Sequence, residues 1–119
     1  MSQNANVRID ELLDYIREGR VMDAMKEFYA DDCIMEEPAY GQTVGLAANL
    51  EREQKFVDSV KEFRNFEANK VAVGENCSIY ENVMDWTDVN GQEIHVEQVS
   101  AAEWRDGKIV HERFYYNMG

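Results

Sequence analysis

Tyr29-Ala30-Asp31-Asp32-Cys33-Ile34-Met35-Glu36-Glu37-Pro38 is the stretch on which the reading of this chain turns. It follows two predicted helices and precedes a third. Within it, Cys33 to Glu37 reads as a short strand that stops at the only proline of the sequence. Proline has no N–H to give to a ladder and holds the residue before it extended. A glutamate fixed at a strand end and facing a cavity is placed to act as a general base. Facing water, the same residue is an ordinary surface charge beside Glu36.

Outward from this stretch, Ile9, Leu12, Leu13 and Ile16 recur at helical spacing. They predict a helix over Val7 to Glu18, with Asn6 as its cap and Gly19 as its stop. A second helix is predicted over Val21 to Tyr29, with Ala24, Met25 and Phe28 on its apolar side. On the other flank, Gly41 and Gly45 frame a loop. A third helix is then predicted from Leu46 to Phe63, its apolar face formed by Leu50, Phe56, Val57, Val60 and Phe63. The remainder reads as four strands, Phe66 to Gly74, Cys77 to Asp88, Gln92 to Trp104 and Ile109 to Asn117. Glu75-Asn76, Asn90-Gly91 and Asp106-Gly107 separate them, the last two being strong hairpin signals. This order predicts an α+β fold, with three N-terminal helices on one face of a strongly curved, mainly antiparallel sheet.

Composition narrows the function classes. A chain of 119 residues, 45% hydrophobic and 11% aromatic, is read as one globular domain over 1–119 with one core. No apolar run approaches the roughly 18 residues of a membrane helix. Met1 to Asn6 lacks the basic and apolar regions of a secretion signal, so a cytoplasmic protein is expected. A formal net charge of -12 argues against nucleic acid and anionic membrane as partners, since phosphate contacts need clustered Lys and Arg. Cys33 and Cys77 are isolated, the two histidines are not clustered, and no Gly-rich phosphate loop is present. No disulfide, metal or cofactor is therefore expected.

The strand faces decide which side chains meet under the helices. On Gln92 to Trp104 the even residues Ile94, Val96, Gln98, Ser100, Ala102 and Trp104 are the more apolar set and are predicted to face inward. A three-residue loop, Val89-Asn90-Gly91, with Gly91 in the left-handed region, brings Tyr80, Asn82, Met84 and Trp86 onto the same face. A two-residue Asn-Gly turn would bury Asp85 and Glu81 and expose Trp86, so the bulged loop is the reading adopted. His95 and His111 then fall on the outer face. On the last strand periodicity does not separate Val110, Glu112, Phe114 and Tyr116 from Ile109, His111, Arg113 and Tyr115.

Three features carry a resemblance: the segment Tyr29 to Pro38, the glycine before the third helix, and Trp104-Arg105-Asp106-Gly107-Lys108-Ile109 followed by Arg113-Phe114-Tyr115-Tyr116-Asn117. Through them nearly the whole chain resembles the SnoaL-like and ketosteroid-isomerase-like branch of the nuclear transport factor 2-like superfamily. The resemblance implies a cone of three helices closing a bent sheet over an apolar pocket, often dimeric through the outer face of the sheet. It places Glu37 where ketosteroid isomerases carry their catalytic base, and Tyr15 near their oxyanion-binding tyrosine. Ser100 falls where those enzymes use a neutral carboxylic acid as second donor. Phe114 falls where the similar limonene epoxide hydrolases carry an aspartate. The same alignment turns Glu112, Phe114 and Tyr116 inward.

The polar inner residues Asn82, Gln98 and Ser100 either bond one another and water or line a ligand pocket. The resulting expectation is a small-ligand pocket protein, an isomerase/cyclase-type enzyme acting on a small apolar carbonyl compound. Glu37, Tyr15 and Ser100 are its candidate catalytic residues. Gln98, Asn82, Tyr80, Trp86, Glu112, Phe114 and Tyr116 are its candidate binding residues. Two alternatives stay open: a non-catalytic ligand-binding or dimerisation module, and a hydratase or hydrolase with a water held by Glu37 and Glu112. A homodimer through the outer sheet face, at Val99, Ala101 and Tyr115, is expected.

Overall fold

The computed structural model describes residues 6–117. Its helices are α1 (Ile9–Arg17), α2 (Val21–Phe28) and α3 (Leu46–Ser59). Its strands are β1 (Tyr29–Glu37), β2 (Gly41–Val44), β3 (Val60–Gly74), β4 (Cys77–Asp88), β5 (Glu93–Arg105) and β6 (Lys108–Tyr115). The strands form one curled sheet in the order β2-β1-β6-β5-β4-β3. Only the β1–β6 pair is parallel. The fold is α+β, as expected, with the helices gathered on one side of the sheet.

The hairpins follow their turn chemistry. Gly91 takes the left-handed conformation (φ +82°) that the bulged loop requires, and its N–H donates to the Asp88 carbonyl at 2.9 Å. The resulting register pairs Tyr80 with Ser100, Asn82 with Gln98, Met84 with Val96 and Trp86 with Ile94. Asp106 and Gly107, both at positive φ, close β5 onto β6 as a two-residue turn. In β6, Phe114 pairs with Ser100 and Glu112 with Ala102, which puts Glu112 on the inner face.

Four local expectations change. The residue at the N-cap of α1 is Arg8, with no side-chain cap bond, and the Asn6 amide donates instead to Asn76 at 2.9 Å. The Gly41–Gly45 segment is not a plain loop, since β2 pairs antiparallel with β1 from Ile34↔Val44 to Glu37↔Gly41. The first strand begins at Tyr29, not Cys33. The third helix ends at Ser59, and Val60 and Phe63 belong to β3.

That last difference has a clear cause. Val60, Phe63 and Phe66 oppose Asp88, Trp86 and Met84, alternate residues of β4. Register shifts between Val60 and Glu62 and between Phe63 and Asn65 each insert one extra residue into β3. A strand with a bulge at each repeat shows apolar residues every third position, which imitates a helix.

The core lies where α1 and α2 meet the sheet, around Leu12, Leu13, Phe28, Cys33 and Ile109, all essentially inaccessible to solvent. No helix among the described residues is long and apolar enough to cross a membrane.

Candidate functional site

Between the helices and the inner face of the sheet lies a cavity of about 330 Å³. Leu12, Ile16 and Met25 close it from α1 and α2, and Arg52, Glu53 and Phe56 from α3. Tyr80, Asn82, Met84, Trp86, Val96 and Gln98 form the β4–β5 wall, with Glu112, Phe114 and Tyr116 beside them. Phe56 meets Trp86 edge to face, their ring centres 5.1 Å apart. All seven candidate binding residues thus line one cavity.

Glu37 lines it too, and its side chain is only 15% exposed. Alternation along β1 sends Cys33, Met35 and Glu37 inward while Glu36 turns to the outer face. Pro38 then ends the strand, leaving Glu37 as its last residue. Tyr116 donates to Glu37 Oε1 at 2.8 Å, and Arg52 Nη1 forms an ion pair with Oε2. Arg52 is in turn positioned by Asn49 Oδ1, 3.3 Å from its Nη2. Asn49, fully buried, anchors to the carbonyls of Thr43 and Gly45 at 3.0 and 2.8 Å. The β2 turn and the start of α3 therefore hold the arginine that holds Glu37.

Glu112 is the second inward carboxylate and is fully buried. Tyr29 donates to its Oε1, and Ser100 Oγ donates to its Oε2 at 2.6 Å. Burial raises the Glu112 pKa, and the bonds from Ser100 and Tyr29 oppose that rise. The same burial, with the nearby Glu112 charge, lifts the hydroxyls of Tyr29 and Tyr80 well above the ordinary tyrosine range. Tyr116 is pushed up to about 12, by burial first and by Glu37 second.

Two of the three expected catalytic residues sit elsewhere. Ser100 is wholly buried behind the wall, where it serves Glu112 and does not line the cavity. Tyr15 packs edge to face on Phe28 at 5.0 Å, with the Arg20 guanidinium 4.1 Å above its ring. It is not part of the cavity wall. The short α1 carries Tyr15 on the flank of the helix, away from the residues that reach the cavity, Leu12 and Ile16.

Glu53 is the residue that sequence reasoning passed over. It lines the cavity from α3 and makes no hydrogen bond or ion pair with any other described residue. Burial raises its pKa to about 7; Arg52 opposes the rise, and Glu37 and Glu112 add to it. Arg52 was likewise not anticipated. The available signal was positional: Asn49, Arg52, Glu53 and Phe56 follow the i, i+3, i+4, i+7 spacing of one helix face. Three of these four are polar, and only Phe56 was counted on the apolar face of the helix.

Among the described residues, Asn82 Nδ2 and Arg52 Nε are buried and have no hydrogen-bond partner. Leaving a buried donor unpaired costs about 1–3 kcal/mol. Both belong to residues that line the cavity. Gln98 Nε2 donates to Asn82 Oδ1 at 3.1 Å, which fixes the amide with its N–H₂ end unpaired.

The outer face is different. His95 is flanked by Asp85 and Glu97 at 2.6 and 3.0 Å, and His111 pairs with Glu36. Both histidines are outside the inner cavity, as their strand parity predicts. No group of three or more His, Cys, Asp or Glu suited to a metal lies among the described residues.

Comparison with known proteins agrees with this architecture. A candidate isomerase from Bacillus subtilis superposes with a TM-score of 0.76 at 23% identity, covering 92% of this chain and 83% of that one. A candidate SnoaL-like polyketide cyclase from Mesorhizobium loti gives 0.75 at 21% identity, covering 90% and 94%. A protein of ketosteroid isomerase-like fold from Catenulispora acidiphila, in complex with trimethylamine, gives 0.78 at 14% identity, covering 93% and 86%. At these identities the likeness is one of fold. No curated protein matches the chain. The model of the SnoaL-like domain matches residues 3–116, and the chain belongs to that family.

Proposed function

We propose that this protein is a cofactor-independent enzyme of the isomerase/cyclase type, acting on a small apolar carbonyl compound in the inner cavity. Glu37 is the carboxylate that takes a proton from the carbon next to the carbonyl. The observation that carries this reading is Glu37 itself, a carboxylate at a strand end in the wall of a largely apolar cavity. Arg52 and Tyr116 hold it in one place. A fixed base shortens the search for a reactive geometry, and proton transfer by such a group contributes roughly 10²–10⁴-fold in rate.

The test is a panel of enolisable ketones followed by proton NMR, with Glu37→Gln as the control. The expected result is turnover by the native protein and a loss of at least about 100-fold in the variant, with ligand affinity changed only a few fold. An unchanged rate in Glu37→Gln would remove the assigned base.

One observation favours a second reading, a ligand-binding module without chemistry: both oxygens of Glu37 already accept a bond within the protein. That module would turn over no member of the panel, and Glu37→Gln would change only binding or stability. Either reading is compatible with a homodimer through the outer sheet face, where Ile79 and Tyr115 are exposed. Light scattering during size-exclusion chromatography checks it.

A further inference from the structure

We infer that the compound taken into the inner cavity carries a cationic nitrogen as well as a carbonyl: Glu53 and the aromatic wall receive the cation, and the Asn82 amide receives the carbonyl oxygen. The inference rests on reading this cavity as the ligand site, and it adds a charge to the class of compound bound there. Proton removal by Glu37 is no part of it.

Charge gives the first argument. Glu37, Glu53, Glu112 and Arg52 are the acidic and basic side chains in the cavity wall. The guanidinium is already committed, its Nη1 to Glu37 and its Nη2 to Asn49 Oδ1 at 3.3 Å. Glu112 accepts bonds from Tyr29 and Ser100. Glu53 has neither donor nor counter-ion among the described residues. Burial disfavours its anion, Arg52 offsets part of that, and the charges of Glu37 and Glu112 add to it. A cation beside Glu53 cancels the excess negative charge, which a hydroxyl or amide donor does not. The surrounding rings favour the same ligand. Phe56 lies one turn beyond Glu53 on α3 and meets Trp86 edge to face, and Phe66, Tyr80 and Phe114 continue the wall. Aromatic faces attract an alkylated ammonium and pack against its methyl groups.

Asn82 is an independent sign of a ligand. It is 2% exposed, lines the cavity from β4, and has its amide oriented by Gln98. Its Nδ2 has no acceptor among the described residues, and Arg52 Nε is a second buried N–H without one. Such donors are costly unless a ligand brings oxygens to them. A plain alkylammonium would leave both unpaired, and a neutral ketone would leave Glu53 without a counter-ion. An amino ketone or amino ester answers both ends of the site.

The experiment compares two probes of nearly equal shape by calorimetry, acetylcholine and its uncharged analogue 3,3-dimethylbutyl acetate. At about pH 8 the native protein is expected to bind the cation at least about 10-fold more tightly. Glu53→Gln is expected to erase that preference and to leave the affinity for the neutral ester within a few fold of native. Equal binding of the two probes by the native protein, binding of neither, or a preference that survives Glu53→Gln overturns the role of Glu53. Arg52, Glu37, Glu112 and Tyr29 are the titratable groups that act on Glu53 or feel its charge. A bound cation favours the Glu53 anion, so acetylcholine affinity should rise as pH increases through about 7 and level off above it. Glu53→Gln should remove that dependence, and its persistence would assign the effect to one of the other groups and overturn the role of Glu53. The carbonyl stretching frequency of bound 3,3-dimethylbutyl acetate reads the other end. The native protein is expected to lower it and Asn82→Leu to abolish the lowering; no lowering in the native protein, or an unchanged one in Asn82→Leu, overturns the role of Asn82. The ketone panel reads turnover separately. A silent panel with cation preference intact removes the enzyme reading and leaves this inference standing; turnover of neutral ketones without cation preference removes this inference alone.

Discussion

Glu36 and Glu37 are neighbours in the chain and face opposite sides of the sheet. Glu36 turns to the outer face, where the bond from His111 and then that from Arg113 hold its carboxyl below the usual range. Asp85 is treated the same way by Asn65 and His95. On the inner face, burial dominates: it lifts Glu112 and brings Glu53 to about 7. On one side of the sheet partners favour the anion of this residue type, and on the other burial favours its protonated form. The difference teaches that donors and cations beside an exposed carboxylate lower its pKa, whereas burial in the wall raises it.

The contrast can be broken first by stability. Phe28→Ala, at the buried seam of α2, is expected to cost about 3–5 kcal/mol in denaturant titration. Tyr115→Ala, exposed on the outer face, should change the stability of a monomer by no more than about 0.5 kcal/mol. Next comes Glu112→Ala, which strands the Tyr29 and Ser100 hydroxyls in a buried site and should cost about 2–4 kcal/mol. Glu112→Gln keeps an acceptor there and should cost less. Equal losses for the two would mean that the hydroxyls do not depend on Glu112.

Two further variants sharpen the comparison through pH. The folded pKa of Glu53, about 7, lies above its ordinary 4.5, so folding favours the protonated form. The stabilisation from this group is complete below 4.5 and is lost as pH rises through about 7. Glu53→Gln should therefore flatten the fall in melting temperature across that window. Glu36 has the opposite sign. Its pKa is lowered, so its contribution is present above the ordinary carboxylate value and is lost as pH falls through the lowered one. Glu36→Gln should alter only the acidic limb, and by the smallest amount of the set, because exposed pairs contribute little.

Much of this arrangement was legible in the sequence, and the exceptions share physical causes. Asn90-Gly91 and Asp106-Gly107 set two hairpins, and the cost of burying Asp85 selected the register that places Asn82, Gln98 and Trp86 on one wall. Proline placed Glu37 at a strand end. Bulges hid the first part of β3, because they give a strand the apolar spacing of a helix. β2 was hidden by its length and by the glycines at its borders. Arg52 and Glu53 were missed because charged residues on an amphipathic helix are normally read as its wet face; here that face closes a cavity. Tyr15, placed near the site by the resemblance alone, packs on Phe28 and Arg20. Tyr29 was read as the last residue of the second helix, and it is the first residue of a strand whose start was placed four residues later.

The most direct test of the contrast between the two faces is a pH titration of the side-chain carboxyls by carbon NMR, with Glu36→Gln and Glu53→Gln used for assignment. The expected result is a Glu53 midpoint near 7 and a Glu36 midpoint below 4.5. A Glu53 midpoint at the ordinary value of 4.5 would contradict the account, because the inner wall would then hold its carboxylates no differently from the water-facing side of the sheet.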